Sequence, residues 1–194
     1  MKKALFISSR PIYPIVGGDQ IRTAQQLELL TKQFRVDVIF LSPDKENNAV
    51  KDYVPKINSE FRFYVPKYKS YLNTLRFIFN KLPIQVNYYY DHNVRKFIDK
   101  NIAKYDLVFC NNIRTAEYVR HHDLVKYLDF VDAISMNYDK ARKHAKGLKK
   151  LIYSIDFKRC KNYELKCLEV FASCSIISDV DNKYITKCQK ESTQ

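Results

Sequence analysis

"ALFISSRPIYPIVGGDQIRTAQQLELLTKQFRVDVIFL", residues 4–41, reads as one strand–loop–helix–strand unit. Residues 4–8 (ALFIS) are apolar on both faces, which suits a central parallel strand. Residues 19–34 carry Ile21, Ala24, Leu27, Leu30 and Phe34 on one broad helical stripe. Residues 36–41 (VDVIFL) form a second strand, and the polar stretch SPDKENN at 42–48 closes it.

The alternation continues outward. Residues 60–65 (EFRFYV) alternate as a third strand. In the following KYKSYLNTLRFIFNKLP, Tyr71, Leu72, Leu75, Phe79 and Leu82 fall at helical spacing, and Pro83 ends the pattern. A helix is predicted over 88–104, with Val94, Phe97, Ile98 and Ile102 inward. A fourth strand follows at 106–110, a short helix at 114–120 and a fifth strand at 126–131. Residues 137–171 read as helical and basic, with Gly147 marking a break. Leu148, Leu151, Ile152, Ile155, Tyr163, Cys167, Leu168 and Phe171 are candidates for the buried side. A last strand at 174–178 precedes a helix fragment capped by Ser178 or Asp179. Strands alternating with helices at this spacing predict an α/β fold. The expected form is a Rossmann-like, doubly wound parallel sheet with helices on both faces. Ligands of such sheets bind at the carboxyl ends of the strands. That directs attention to residues 9–22, 42–43, 111–114, 129–135 and 178–181.

The composition narrows the function classes. The 194 residues carry a formal charge of +13 and 46% hydrophobic residues, with only three glycines. That suits one well-filled domain with a bias toward anionic partners. Residues 138–166 hold ten Lys/Arg against three carboxylates. The five cysteines include no C-x-x-C pair, so neither a disulfide framework nor a zinc site is expected. Cys160, Cys167 and Cys174 fall seven apart, as one buried helical stripe would, in a reducing, cytoplasmic setting. No apolar run reaches the roughly 18 residues of a membrane span. The amino-terminal apolar stretch is also short for a signal peptide. The expectation is a soluble protein, or one resting peripherally on the inner face of a membrane. The histidines show no metal-ligand spacing, so no metal site is expected.

Two constellations suit chemistry. Gly17 and Gly18 stand between the first strand and helix, where a tight turn would let backbone approach a ligand. Asp19 is the expected N-cap, and Arg22, one turn inside, is a candidate bidentate donor to phosphate or carboxylate. A plain connecting loop suits these residues equally well. The pattern is neither G-x-G-x-x-G nor a P-loop, which argues against dinucleotides and phosphoryl transfer. Asp129 and Asp132, at and beyond the end of the fifth strand, are candidates to orient or deprotonate a hydroxyl. They also suit ordinary cap and loop positions. The basic–aromatic segment 67–81 fits an anionic bilayer surface, or an ordinary helix with an aromatic core face. The basic run 140–150 suits a solvated face.

The stretch "YPIVGGDQIRTAQQLELLTKQFRVDVIFLS" resembles the start of the retaining glycosyltransferase family 4 (group 1) enzymes. "KLPIQVNYYYDHNVRKFI", "YDLVFCNNIRTAEYV", "LDFVDAISMNYDKAR", the basic helix with "NYE", and "SIISDVDNKYI" follow in the order seen in a sugar-transferase subset. The resemblance covers nearly all of residues 1–194. It implies the acceptor-side, N-terminal domain of a GT-B enzyme. The resemblance leaves the donor-binding domain with its E-x7-E motif unmatched, since no two glutamates here are eight apart. By resemblance, Gly17, Gly18 and Asp19 match the family's glycine loop by the acceptor and donor phosphates, and Arg22 its following Arg. Asp129, with Asp132 kept beside it, lies near the position of a catalytic or acceptor-orienting His or Asp. The implied partner is a sugar or lipid-linked sugar acceptor of cell-surface polysaccharide synthesis, with a nucleotide sugar held only by a second domain or chain. No cofactor of its own is implied. Peripheral contact with an anionic membrane would account for the basic surface at roughly 1 kcal/mol per basic residue near it. The alternative is a non-enzymatic basic module binding nucleic acid or an anionic membrane. Charge alone supports the nucleic-acid form, with no helix-turn-helix, RNP or zinc pattern, so no specific nucleic acid is expected.

Overall fold

Strand β1 (Lys3–Ser8) sorts its side chains by period two, and both sets are buried. Leu5 and Ile7 face one layer of helices, Ala4 and Phe6 the other. In the computed structural model, which describes residues 1–45 and 49–192, five further strands are parallel to it. They are β2 (Arg35–Ser42), β3 (Ser59–Tyr64), β4 (Leu107–Asn111), β5 (Val125–Asp129) and β6 (Ser173–Ser175). The order β3-β2-β1-β4-β5-β6 reverses direction between β1 and β4. That is the doubly wound arrangement, with its topological switch point beside β1.

Helices cover both faces. Helix α1 (Gly18–Thr31) and the short α2 (Val50–Tyr53) pack with Phe6, Val36, Val38 and Phe40. The opposite layer holds α4 (Ile84–Tyr88), α5 (His92–Asn101), α6 (Ile134–His144), α7 (Gly147–Val170) and α8 (Asp179–Ser192). Among the described residues no helix is long and apolar enough to cross a membrane.

Several local expectations are corrected. The loop expected at 42–48 falls partly outside the described residues, at 46–48. The helix predicted over 88–104 begins only at His92. Asp91, 2% exposed, accepts from the backbone N–H groups of Asn93 (2.8 Å) and Val94 (3.3 Å), and this cap overrides the apolar periodicity. The segment after β3 is the short α3 (Lys67–Thr74) and a 3₁₀ turn (Leu75–Ile78). It packs on α4, and Tyr71, Leu72, Leu75 and Phe79 stay exposed. The piece expected as a helix at 114–120 is a 3₁₀ segment, Ile113–Tyr118.

Gly147, at φ +57°, separates α6 from α7 as expected. On α7, Tyr163 and Cys167 are buried, whereas Leu148, Leu151 and Ile155 face outward. Ile21 on α1 is also exposed. Cys160 and Cys167 share the α7 core face, but Cys174 belongs to β6.

The α6–α7 hairpin is joined by a buried acid. Glu164, 2% exposed, accepts from the Ser135 backbone N–H at 2.9 Å and from the Ser135 hydroxyl. Burial outweighs these bonds and pushes the carboxyl up to about 7 from an ordinary 4.5. Between these values the folded chain holds a proton that the unfolded chain has released, so stability falls as pH rises through that window. Glu164→Gln, which cannot ionise, should flatten this pH dependence of the urea midpoint. An unchanged slope would show that Glu164 is ionised in the fold.

Candidate functional site

The carboxyl edge of the sheet carries two unlike halves. On the β1–β3 side, the chain leaves β1 through Ser9 and Arg10 and reaches α1 at Gly17, whose backbone is extended at φ −140°. The cap is therefore Gly17, not Asp19, which sits inside the first turn. Gln20 fastens the loop to the helix. Its Oε1 accepts from the N–H groups of Val16 (2.8 Å) and Gly17 (3.2 Å), and its Nε2 donates to the Pro11 carbonyl (3.1 Å). Neither glycine adopts the left-handed conformation expected of a tight turn. A Cβ at Gly17 would come to 3.2 Å from Asp19 Oδ1, whereas one at Gly18 would meet nothing within 4 Å. Backbone geometry and packing thus do not require glycine at 18. Arg10 pairs with Asp19 across the loop.

Between this loop and the ends of β2 and β3 lies a cleft of about 370 Å³. Tyr13, Pro43, Tyr88 and Tyr89 form much of its wall, with Arg10 and Lys67 among its polar groups. Tyr13 stacks on Tyr53 at 4.4 Å between centroids. Arg114, following β4, lies over the Tyr89 ring at 4.9 Å and donates from Nε to Gln85 at 2.9 Å. Burial, followed by repulsion from Arg114, lowers the pKa of the Arg10 guanidinium, so two cations converge near the switch point.

Arg22 turns to the other half. Its Nε and Nη2 donate to the two Asp129 carboxylate oxygens at 2.8 and 3.0 Å. Gln26 Nε2 (2.7 Å) and Ser175 Oγ (2.8 Å) complete the shell around this fully buried carboxylate. Burial alone would raise the Asp129 pKa, but the bonds from Arg22, Gln26 and Ser175 hold it below the usual range.

Asp132 differs. Its N–H donates to the Phe130 carbonyl at 2.8 Å across Val131, held at φ +66°. This is a strained conformation for a β-branched residue. Burial pushes the Asp132 carboxyl up despite the charge of Arg114 and a 2.7 Å bond from Asn137. Asn112, after β4, also has a positive φ of 71°.

The structure therefore joins Arg22 to Asp129. Gly17, Gly18, Asp19, Arg22, Asp129 and Asp132 all lie outside the lining of the cleft; Val16 and Gln20 carry α1's start to its wall. Tyr88 and Tyr89 escaped sequence reasoning, and Lys67 was read there as part of a basic–aromatic surface segment, not of a cleft. The signal available was the YYY run before Asp91, interpreted there as helix interior. Among the described residues no group of three or more His, Cys, Asp or Glu could hold a metal ion.

No protein-family model matches the chain, and no curated protein matches it by sequence. Similar architecture occurs in solved structures. Sucrose-phosphate synthase from Thermosynechococcus elongatus is 14% identical with TM-score 0.60, covering 96% of this chain and 45% of that one. Phytolacca americana UGT2, solved with UDP-2-fluoro-glucose and pterostilbene, is 10% identical with TM-score 0.49, over 93% of this chain and 49% of that one. The chain spans about half the length of each. The first likeness establishes a shared fold, a Rossmann-like α/β sheet.

Removing Arg22 strands a fully buried carboxylate, while removing Asp129 frees an Arg side chain already 31% exposed. Arg22→Ala should therefore cost about 3 kcal/mol, and Asp129→Ala clearly less, about 1–2 kcal/mol. Urea denaturation of both variants measures the asymmetry; equal losses would contradict it.

Proposed function

We propose that this chain is the acceptor-binding half of a glycosyltransferase, paired with a nucleotide-sugar-binding domain or chain. The observation that carries this reading is the cleft at the ends of β1–β3, where tyrosines stand beside Arg10 and Lys67. Aromatic faces pack on the C–H faces of sugar rings, and a few convergent polar groups fix orientation. Its volume of about 370 Å³ suits one or two sugar units. The fold shared with sucrose-phosphate synthase agrees with this reading.

In the transfer step, the donor's anomeric carbon–phosphate oxygen bond breaks and a bond to the acceptor oxygen forms. The nucleoside diphosphate leaves with the electron pair, and the acceptor hydroxyl loses its proton. Asp132 is our candidate to orient that hydroxyl and receive the proton, because burial makes it more basic than an exposed carboxylate. Asp129, already surrounded by donors, positions α1 through Arg22. Apart from its chain neighbours and its own helix backbone, nothing stands within 4 Å of a Cβ added at Gly18, which suits close approach of the donor phosphates.

The acceptor in this reading is a lipid-linked saccharide of cell-surface polysaccharide synthesis, met at an anionic membrane face. Tyr68, Tyr71, Leu72, Leu75, Ile78 and Phe79 are all exposed within twelve residues, Phe79 by 87%. Lys67, Arg76 and Lys81 flank them, as on an interfacial surface.

Titration with neutral oligosaccharides and with nucleoside diphosphates, followed by NMR, tests the cleft. Saccharide should shift Tyr13, Tyr88 and Tyr89 signals, and Tyr88→Ala should weaken binding about tenfold, the effect of one lost aromatic contact. Saturable nucleotide binding in the cleft without saccharide binding would contradict the proposal.

A further inference from the structure

A second concavity, of about 430 Å³, lies between α7 and the turn that follows the 75–78 segment. Lys81, Arg120, Lys158, Arg159 and Lys166 line it, with Tyr163, and no carboxylate does. Two of the five cations are engaged, in different ways. Arg120 is neutralised by Glu117 at 3.1 Å. Arg159 donates to the Phe77 carbonyl at 2.7 Å and stacks on the Phe77 ring at 3.8 Å, contacts that fix its charge without cancelling it. Lys81, Lys158 and Lys166 form no ion pair among the described residues.

The rim is apolar. Ile155 lines the groove, and Leu151, one turn away on α7, is 57% exposed. Arg159 ties α7 to the 77–82 segment, which carries the exposed side chains of Ile78 and Phe79. Lys81, Lys158 and Lys166, in no ion pair among the described residues, thus sit with Arg159, whose charge also acts on the buried Asp156, beside the apolar side chains of Leu82 and Ile155. Nucleic acid asks for cations beside a polar, stacking surface. A lipid asks for cations at headgroup depth beside side chains that enter the acyl boundary.

We propose that this groove binds the phosphate headgroup of an anionic phospholipid while Ile78 and Phe79 enter the bilayer beside it. The inference rests on the membrane-surface part of the proposed function and adds a defined headgroup site to it. It does not depend on the acceptor cleft.

Co-sedimentation with vesicles of phosphatidylcholine alone, and of phosphatidylcholine with phosphatidylglycerol, tests it. Three proteins are compared with the unaltered chain. One is Lys81→Gln/Lys158→Gln/Lys166→Gln, and the second, a control of equal charge change, is Lys2→Gln/Lys32→Gln/Lys104→Gln. The third is Ile78→Ser/Phe79→Ser. All these side chains are exposed, so circular dichroism and melting should be unchanged. The unaltered chain should prefer the phosphatidylglycerol vesicles. The groove variant should lose about a hundredfold of that affinity, as three basic residues at the surface imply, and the control much less. The Ile78/Phe79 variant should bind both vesicle types more weakly yet keep its preference. Excess soluble glycerophosphoglycerol should compete with the unaltered chain and not with the groove variant.

Equal losses in groove and control variants would mean that net charge alone attracts the protein, and the site would be refuted. Equal binding to both vesicle types would refute the headgroup site and leave the membrane reading standing. Binding to neither would refute both. RNA that displaces the protein from vesicles, with an affinity lost in the groove variant, would assign the groove to nucleic acid and overturn the proposal.

Discussion

The bidentate bond between Arg22 and Asp129 holds the working edge of this sheet together. A helix that follows a central strand must be held at a definite angle, or its first turn cannot present a loop reproducibly. Here α1 starts on a glycine and has no side-chain oxygen at its cap. Gln20 closes the loop locally, and Arg22 supplies the long-range tie. Asp129 adds Ser175 on β6, so one carboxylate joins α1, β5 and β6. A buried charge with all its oxygens occupied is a rigid anchor, and leaving it unpartnered is costly.

That anchor divides the work at the carboxyl edge. The β1–β3 half keeps an open, tyrosine-walled cleft, while the β4–β6 half keeps acids and strained turns. The two aspartates near the end of β5 look alike in sequence and differ in chemistry. Asp129 is held charged by its donors. Asp132, on the Phe130–Asp132 turn, is pushed up by burial and has a single side-chain donor, Asn137. Environment, not spacing, separates a positioning group from a candidate proton acceptor.

The doubly wound sheet was legible in the sequence because residues 4–7 and 107–110 of its central strands are apolar on both faces and helices such as α1 keep a 3.6-residue stripe. The Arg22–Asp129 pair was half legible. Both residues could be named from their places after β1 and β5, but their contact spans 107 positions and follows only from sheet order. The cleft's tyrosines were hidden because Tyr88 ends α4 and Tyr89 caps it, just before the break at which Asp91 caps α5. The outward face of α7 was misread, and that of α3 left open between a bilayer surface and a core, because periodicity shows which residues share a face and is silent on what covers it. The segment after β3 packs on α4, and its apolar stripe stays exposed.

In the proposed reading these features form one wall of a transferase, with an aromatic cleft for the acceptor and a separate basic groove on α7. The most direct test of that account is sugar transfer. A labelled nucleotide sugar and a lipid-linked saccharide are incubated with this chain, with a donor-binding glycosyltransferase domain, and with both together. The account predicts glycosylated lipid only from the combination, with little product when this chain carries Asp132→Asn. Transfer that proceeds without this chain, or that is indifferent to Asp132→Asn and Tyr88→Ala, would contradict it.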